Sequence, residues 1–184
     1  AFALTAGATD YYWTNRWDFQ SSWTSPENWA PNGVPDIGDS ISFTGFPDEV
    51  TVYTSSGDLG ISRVVISNNY NIFLGGPDVQ TENTLTFGNG TDPAEIIIRD
   101  VTTNWKGLGL RPSINAVVNG ILTIDLGAMD YHFGLSLQGV FIGDGTINVT
   151  STGGARLNAE MDDGYADGAP FTGTINMNGS TLRL

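Results

Sequence analysis

The sequence predicts an all-β single domain, and within that class a β-solenoid: a right-handed parallel β-helix with an N-terminal Trp-rich cap. Three observations carry this. The 184 residues hold 24 glycines but only five glutamates and one lysine, a composition poor in strong helix formers. Thr, Val, Ile and aromatic residues recur in short runs bounded by Gly, Pro and Asn clusters, and no 3.6-residue period runs long enough for a helix. Finally, short passages return later in the chain: FGNGT at 87–91 as IGDGT at 142–146, and GTINVTSTG at 145–153 as GTINMNGST at 173–181. These offsets, 55 and 28 residues, fit two turns and one turn of an irregular solenoid, in which a turn takes about 20–29 residues. A β-sandwich or jelly roll also uses many short strands and Gly-rich turns, and is the alternative.

Taken in order, residues 1–10 read as an extended N-terminal arm in which Phe2 and Leu4 alternate with alanine. The β-domain takes 11–184, divided into an aromatic cap at 11–40 and a strand body at 41–184. Four of the five tryptophans (Trp13, Trp17, Trp23, Trp29) stand within seventeen residues, and such rings bury much area without long regular elements. Pro31, Gly33, Pro35 and Gly38 then set turns. Asp39 and Ser40 can take up backbone donors before the first body strand. Strands are expected at 40–44, 50–54, 62–67, 71–74, 84–87, 95–101, 116–126, 135–142, 146–150, 155–158, 173–177 and 180–184. Gly75-Gly76-Pro77, Gly88-Asn89-Gly90, Gly143-Asp144-Gly145, Gly153-Gly154 and Asn178-Gly179 punctuate them. Residues 103–109 hold at most one helical turn.

The cap also has a pattern: an early tryptophan, then Trp23-Thr24-Ser25-Pro26-Glu27-Asn28-Trp29, then a Pro/Gly run ending in Gly38-Asp39 before a strand. The last stretch, 171–184, reads FTGTINMNGSTLRL, strand-turn-strand. In these features the chain resembles bacterial cell-surface β-solenoid proteins, namely passengers with autotransporter-associated strand repeats and related PEP-CTERM-type exported proteins. The resemblance covers roughly a quarter of the chain, judged by pattern. It implies a solenoid whose tryptophans form a structural cap, and it implies little about activity, because proteins of one architecture have diverse roles. Those proteins usually run to many hundreds of residues, against 184 here.

Charge narrows the classes of partner. A net charge of −13 opposes binding to nucleic acid and anionic lipid, and suits cations or solubility outside the cell. There is no cysteine, so no disulfide framework and no thiol chemistry. No apolar run approaches the ~18 residues of a membrane span. The opening AFALTAG lacks a basic signal-peptide region and fits a mature end left by processing. Three N-x-[ST] sequons, at Asn89, Asn148 and Asn178, lie beside turns.

Two constellations carry candidate chemistry. Asp162, Asp163 and Asp167 sit in the Gly-hinged loop DDGYADG, with Glu160 upstream; hard cations take several oxygen ligands, so this loop is a candidate calcium site. It is no EF-hand, since Gly173 stands where the bidentate Glu would be. The competing reading is an ordinary solvated turn, and Pro47-Asp48-Glu49 is a weaker acidic turn of the same kind. The second constellation is aromatic. Tyr11, Tyr12, Trp13, Trp17 and Trp23 could offer ring faces to sugars, with Asn15, Asp18 and Gln20 for hydroxyls. Trp17, Trp13 and Tyr12 form the expected ligand-binding set, with Trp17 foremost because it falls outside the W…NW pattern. The competing reading buries the tryptophans for area.

An enzyme is not expected. His132, beside Asp130 and Tyr131, is the only histidine, and Lys106 the only lysine. No serine stands in a nucleophile-elbow pattern, and neither a phosphate loop nor His/Cys metal spacing occurs. A carboxylate pair would be the remaining hydrolytic route.

Solenoids must close their ends, because an open turn exposes strand edges and interior. Phe2 and Leu4 in the arm, and Leu182 and Leu184 in the alternating Thr-Leu-Arg-Leu ending, are therefore the expected assembly residues. The expectation is a secreted or cell-surface structural or adhesive protein that self-associates head to tail into a filament or surface layer. The alternatives are a carbohydrate-binding module or adhesin passenger fragment meeting a cell-surface or matrix polysaccharide, and a glycan-active enzyme.

Overall fold

The computed structural model describes residues 7–15, 21–46, 49–54, 59–67, 72–75, 83–99, 108–110, 114–128, 135–154, 156–160 and 171–183. Strand β1 (Asp10–Trp13) opens the first of three faces and β2 (Ser21–Ser22) the second. A single 3-10 turn at Pro26–Asn28 leads into β3 (Trp29–Ala30), which returns antiparallel along β1 with Trp13 opposite Trp29. From there the chain winds, laying one strand on each face per turn. The first complete turn is β4 (Ser40–Thr44), β5 (Val50–Tyr53) and β6 (Leu59–Ile61). The second is β7 (Arg63–Ser67), β8 (Ile72–Leu74) and β9 (Asn83–Phe87). The third is β10 (Ala94–Arg99), β11 (Leu108–Leu110) and β12 (Ile114–Val117).

A fourth turn joins β13 (Ile121–Asp125) to β14 (Leu135–Ile142), one strand that serves two faces. Its start pairs with β11 on the second face, Leu135 beside Leu108, and its end with β12 on the third, Phe141 beside Ala116. Then β15 (Thr146–Thr150), β16 (Arg156–Glu160), β17 (Thr174–Asn178) and β18 (Thr181–Arg183) extend the first and second faces. The molecule is thus a single-domain, all-β solenoid of about four complete turns. The first face runs β17-β15-β13-β10-β7-β4-β1-β3. Apart from β1 with β3, every strand pair among the described residues is parallel. Stacked parallel turns exclude the antiparallel Greek-key sandwich.

Alternation decides which side chains fill the interior. On the first face Tyr11, Ile41, Val64, Ile96, Ile124, Val149 and Met177 stand in one register column. The five middle members are buried, while Tyr11 and Met177, at the two ends, are partly exposed. Burying each such aliphatic side chain contributes about 1.5–3 kcal/mol. The column beside it reads Ser40, Arg63, Glu95, Thr123, Asn148 and Asn176, of which Ser40 is buried and the others are partly or fully exposed.

The internal echo follows from this stacking. Thr146-Ile147-Asn148 lies directly beside Thr174-Ile175-Asn176, one turn on, and the Asn176 amide donates to the Asn148 Oδ1 at 2.9 Å. Gly145 begins the echo because the corner is tight: a Cβ there would run into the Gly120 carbonyl oxygen, and one on Gly173 into that of Gly145. Those two carbonyls accept from Thr146 and Thr174 at 2.8 and 3.0 Å.

Three expectations change. The strand expected at 116–126 divides into β12 and β13 on different faces, because Val118, Asn119 and Gly120 turn a corner between them. Of the helical turn weighed at 103–109, Leu108 and Gly109 are extended in β11, held between β8 and β14, and 101–107 lie outside the described residues. Of the arm at 1–10, residues 7–9 carry no strand, Asp10 already belongs to β1, and 1–6 lie outside the described residues.

Candidate functional site

The cap is built from the residues that the Trp/Asn/Gly/Asp pattern singles out. Trp23 and Trp29 are buried, with ring centroids 5.4 Å apart and planes at 69°, and Trp13 lies edge-on to Trp29 at 4.8 Å. The Trp29 indole N–H donates to the Trp23 carbonyl at 2.8 Å, and that of Trp23 to the Pro35 carbonyl at 3.3 Å. Asn28 ties three segments together. Its amide donates to the Ser22 carbonyl at 2.9 Å, its Oδ1 accepts from Asn15 at 3.0 Å, and its carbonyl accepts from the Thr14 N–H at 2.9 Å. Asp39 clamps the entry to β4: its carboxylate accepts from the backbone N–H of Thr9 at 2.9 Å and of Asp36 at 3.0 Å.

Outside this plug, adjacent strands β1 and β4 carry a cleft of about 300 Å³ lined by Tyr12, Trp13, Thr14, Ser42 and Thr44. Register places Tyr12 beside Ser42. Tyr12 is 54 % exposed, Thr44 is exposed and Ser42 half-buried. Among the described residues no charged group lines it. The Thr14 hydroxyl donates to the Asn28 carbonyl at 3.1 Å and keeps its acceptor side open.

Of the expected ligand-binding set, Tyr12 presents its ring at this cleft. Trp13 borders it but is 5 % exposed. Its ring packs on Trp29 and Phe43, so the expectation of an open ring face at Trp13 is corrected: the core uses that face instead. The Trp13 indole N–H is buried without a hydrogen-bond partner among the described residues. Trp23 and Tyr11 likewise pack into or against the core, and Asn15 is engaged by Asn28. Trp17, Asp18 and Gln20 lie outside the described residues. The sequence reading missed Ser42, which register sets beside Tyr12, and Thr14 and Thr44, which line the same cleft.

Asp162, Asp163 and Asp167 lie outside the described residues, and Glu160 ends β16. Among the described residues no group of three or more His, Cys, Asp or Glu could hold a metal ion. His132, Lys106, Phe2, Leu4 and Leu184 also lie outside, as do Pro47 and Asp48. Leu182, in β18, is partly buried against the core. Among the sequons, the Asn89 side chain is bound within its own turn, accepting from the backbone N–H of Thr91 and Asp92 at 2.8 and 2.7 Å.

The two ends of the first face differ. At one, β3 is two residues long, antiparallel and followed by Pro31, which blunts the edge. At the other, β17 offers five residues, Thr-Ile-Asn-Met-Asn, without proline or charge. No strand pairs with its outer edge among the described residues, and its inward Ile175 and Met177 are only partly buried. No helix among the described residues is long and apolar enough to cross a membrane. No family model, curated protein or solved structure matches the chain.

Proposed function

We propose that the protein is a non-enzymatic structural subunit of an extracellular assembly, in which the β17 edge of one copy takes up a strand of the next. The supporting observation is the asymmetry of the first face: a blunted edge at β3, and an unblunted edge with a half-covered apolar row at β17. Such an edge is a template for an added strand. A second copy is the fitting occupant, because β17 already stacks on β15 of like sequence, Thr-Ile-Asn upon Thr-Ile-Asn. The arm with Phe2 and Leu4 is the segment we assign to that added strand. Repeated head to tail, a heterologous contact that does not close gives a filament. The charge of −13 suits solubility outside the cell, and the sequence resemblance to surface solenoid proteins points the same way.

Electron microscopy and sedimentation of the full chain at rising concentration test this, beside a chain lacking residues 1–8 and a Met177→Lys variant with an inward charge at the edge. Filaments from the full chain alone, with both variants folded and monomeric, are the expected result. A full chain that stays monomeric at high concentration, or a truncated one that polymerises equally well, refutes the proposal.

A further inference from the structure

We infer that the cleft between β1 and β4 binds one ring of a neutral sugar, as part of a polysaccharide. The size comes first: about 300 Å³ is at the lower end of ligand pockets, enough for a single ring. Tyr12 supplies an exposed aromatic wall, which suits the apolar C–H face of a pyranose. The Ser42 and Thr44 hydroxyls and the Tyr12 phenol make no hydrogen bond among the described residues, and each can both donate and accept. With the acceptor side of Thr14 they form a set that matches neighbouring sugar hydroxyls.

The same features exclude other ligand classes. A wholly apolar ligand would cover these hydroxyls without pairing them, which is costly. A phosphate or carboxylate would meet no cation among the described lining residues, on a chain of net charge −13. What remains is a neutral polyol with one flat apolar face. A hydroxyl-lined site of this kind discriminates through groups left unpaired by the wrong ligand.

The test uses the full chain below the concentration at which it assembles, so its outcome is independent of polymerisation. Cellohexaose, xylohexaose and laminarihexaose are titrated into the isotope-labelled protein and followed by NMR, with oligogalacturonate as the acidic control. At least one neutral hexasaccharide should move the Tyr12, Ser42 and Thr44 signals in a saturable way, and the acidic one should bind more weakly. Tyr12→Ala should weaken binding about tenfold and Ser42→Ala a few-fold, both with unchanged melting, since neither side chain belongs to the core. The inference is overturned if no neutral hexasaccharide perturbs these signals, if the acidic one binds better, or if Tyr12→Ala leaves affinity unchanged.

Discussion

Trp29 lies edge-on to both Trp13 and Trp23 and spends its one polar atom on the Trp23 carbonyl. Trp29→Ala therefore removes a ring from a packed cluster and should cost ~3–5 kcal/mol in urea denaturation; a loss below about 1 kcal/mol would place the ring outside the core. Asn28→Ala should cost ~1–3 kcal/mol, because the part-buried Ser22 carbonyl loses its side-chain donor and Asn15 its acceptor. At this scale the sequence was partly legible. Spaced tryptophans, the Asn between Glu27 and Trp29, and the Gly38-Asp39 pair announced a plug, and Trp13, Trp23, Trp29, Asn28 and Asp39 are packed or hydrogen-bonded there. The choice between buried and sugar-facing rings was not legible, since a Trp carries the same surface into either setting. Trp13 falls on the inward phase of β1 and Tyr12 on the outward phase, and only the pairing with β3 and β4 fixes that phase.

Strand β17 is the edge element of the first face, whereas β7 and β10 are paired on both sides. In the unassembled protein its amides should exchange with solvent much faster than those of β7 and β10, which open only with the core. Hydrogen exchange resolved by residue measures this, and equal protection in all three would mean that another segment covers β17. Gly145→Ala should lower the melting temperature clearly, because a methyl there meets the Gly120 carbonyl rather than a side chain that could move aside. Strands with five or more alternating residues, such as β4 and β15, could be read from sequence. Those like β6 and β11, Leu-Gly-Ile and Leu-Gly-Leu, could not. Three residues with a central glycine have little propensity of their own, and take extended form because neighbouring turns present ready ladders, β9 to β6, and β8 and β14 to β11. The division of 116–126 was hidden for a related reason: Leu122 and Ile124 keep strand composition across the Asn119-Gly120 corner.

In the whole molecule each turn touches chiefly the turns beside it, so stability is close to a sum of turn and neighbour terms. Ile96 and Ile175 are both inward isoleucines of the first face, one deep in the stack and one in its end strand. Ile96→Ala should cost ~2–5 kcal/mol, and Ile175→Ala less than half as much in the monomer. Assembly should raise the second cost towards the first, because a stacked copy would bury Ile175 from its other side. Chemical denaturation below and above the assembly concentration separates the two cases.

The corner from the third face to the first is turned by Ser62 alone between β6 and β7, by residues 88–93 between β9 and β10, and by 118–120 between β12 and β13. Register on the first face is kept across all three. Corner length and rung position are therefore separate variables in this chain. Lengthening a flexible connection costs only about 0.6 kcal/mol per doubling. Peptides of unrelated sequence grafted at the longer corners would then be held in a row along the axis, at a pitch of about 4.8 Å per turn. The pitch belongs to the backbone ladder, and the cargo is left free to vary.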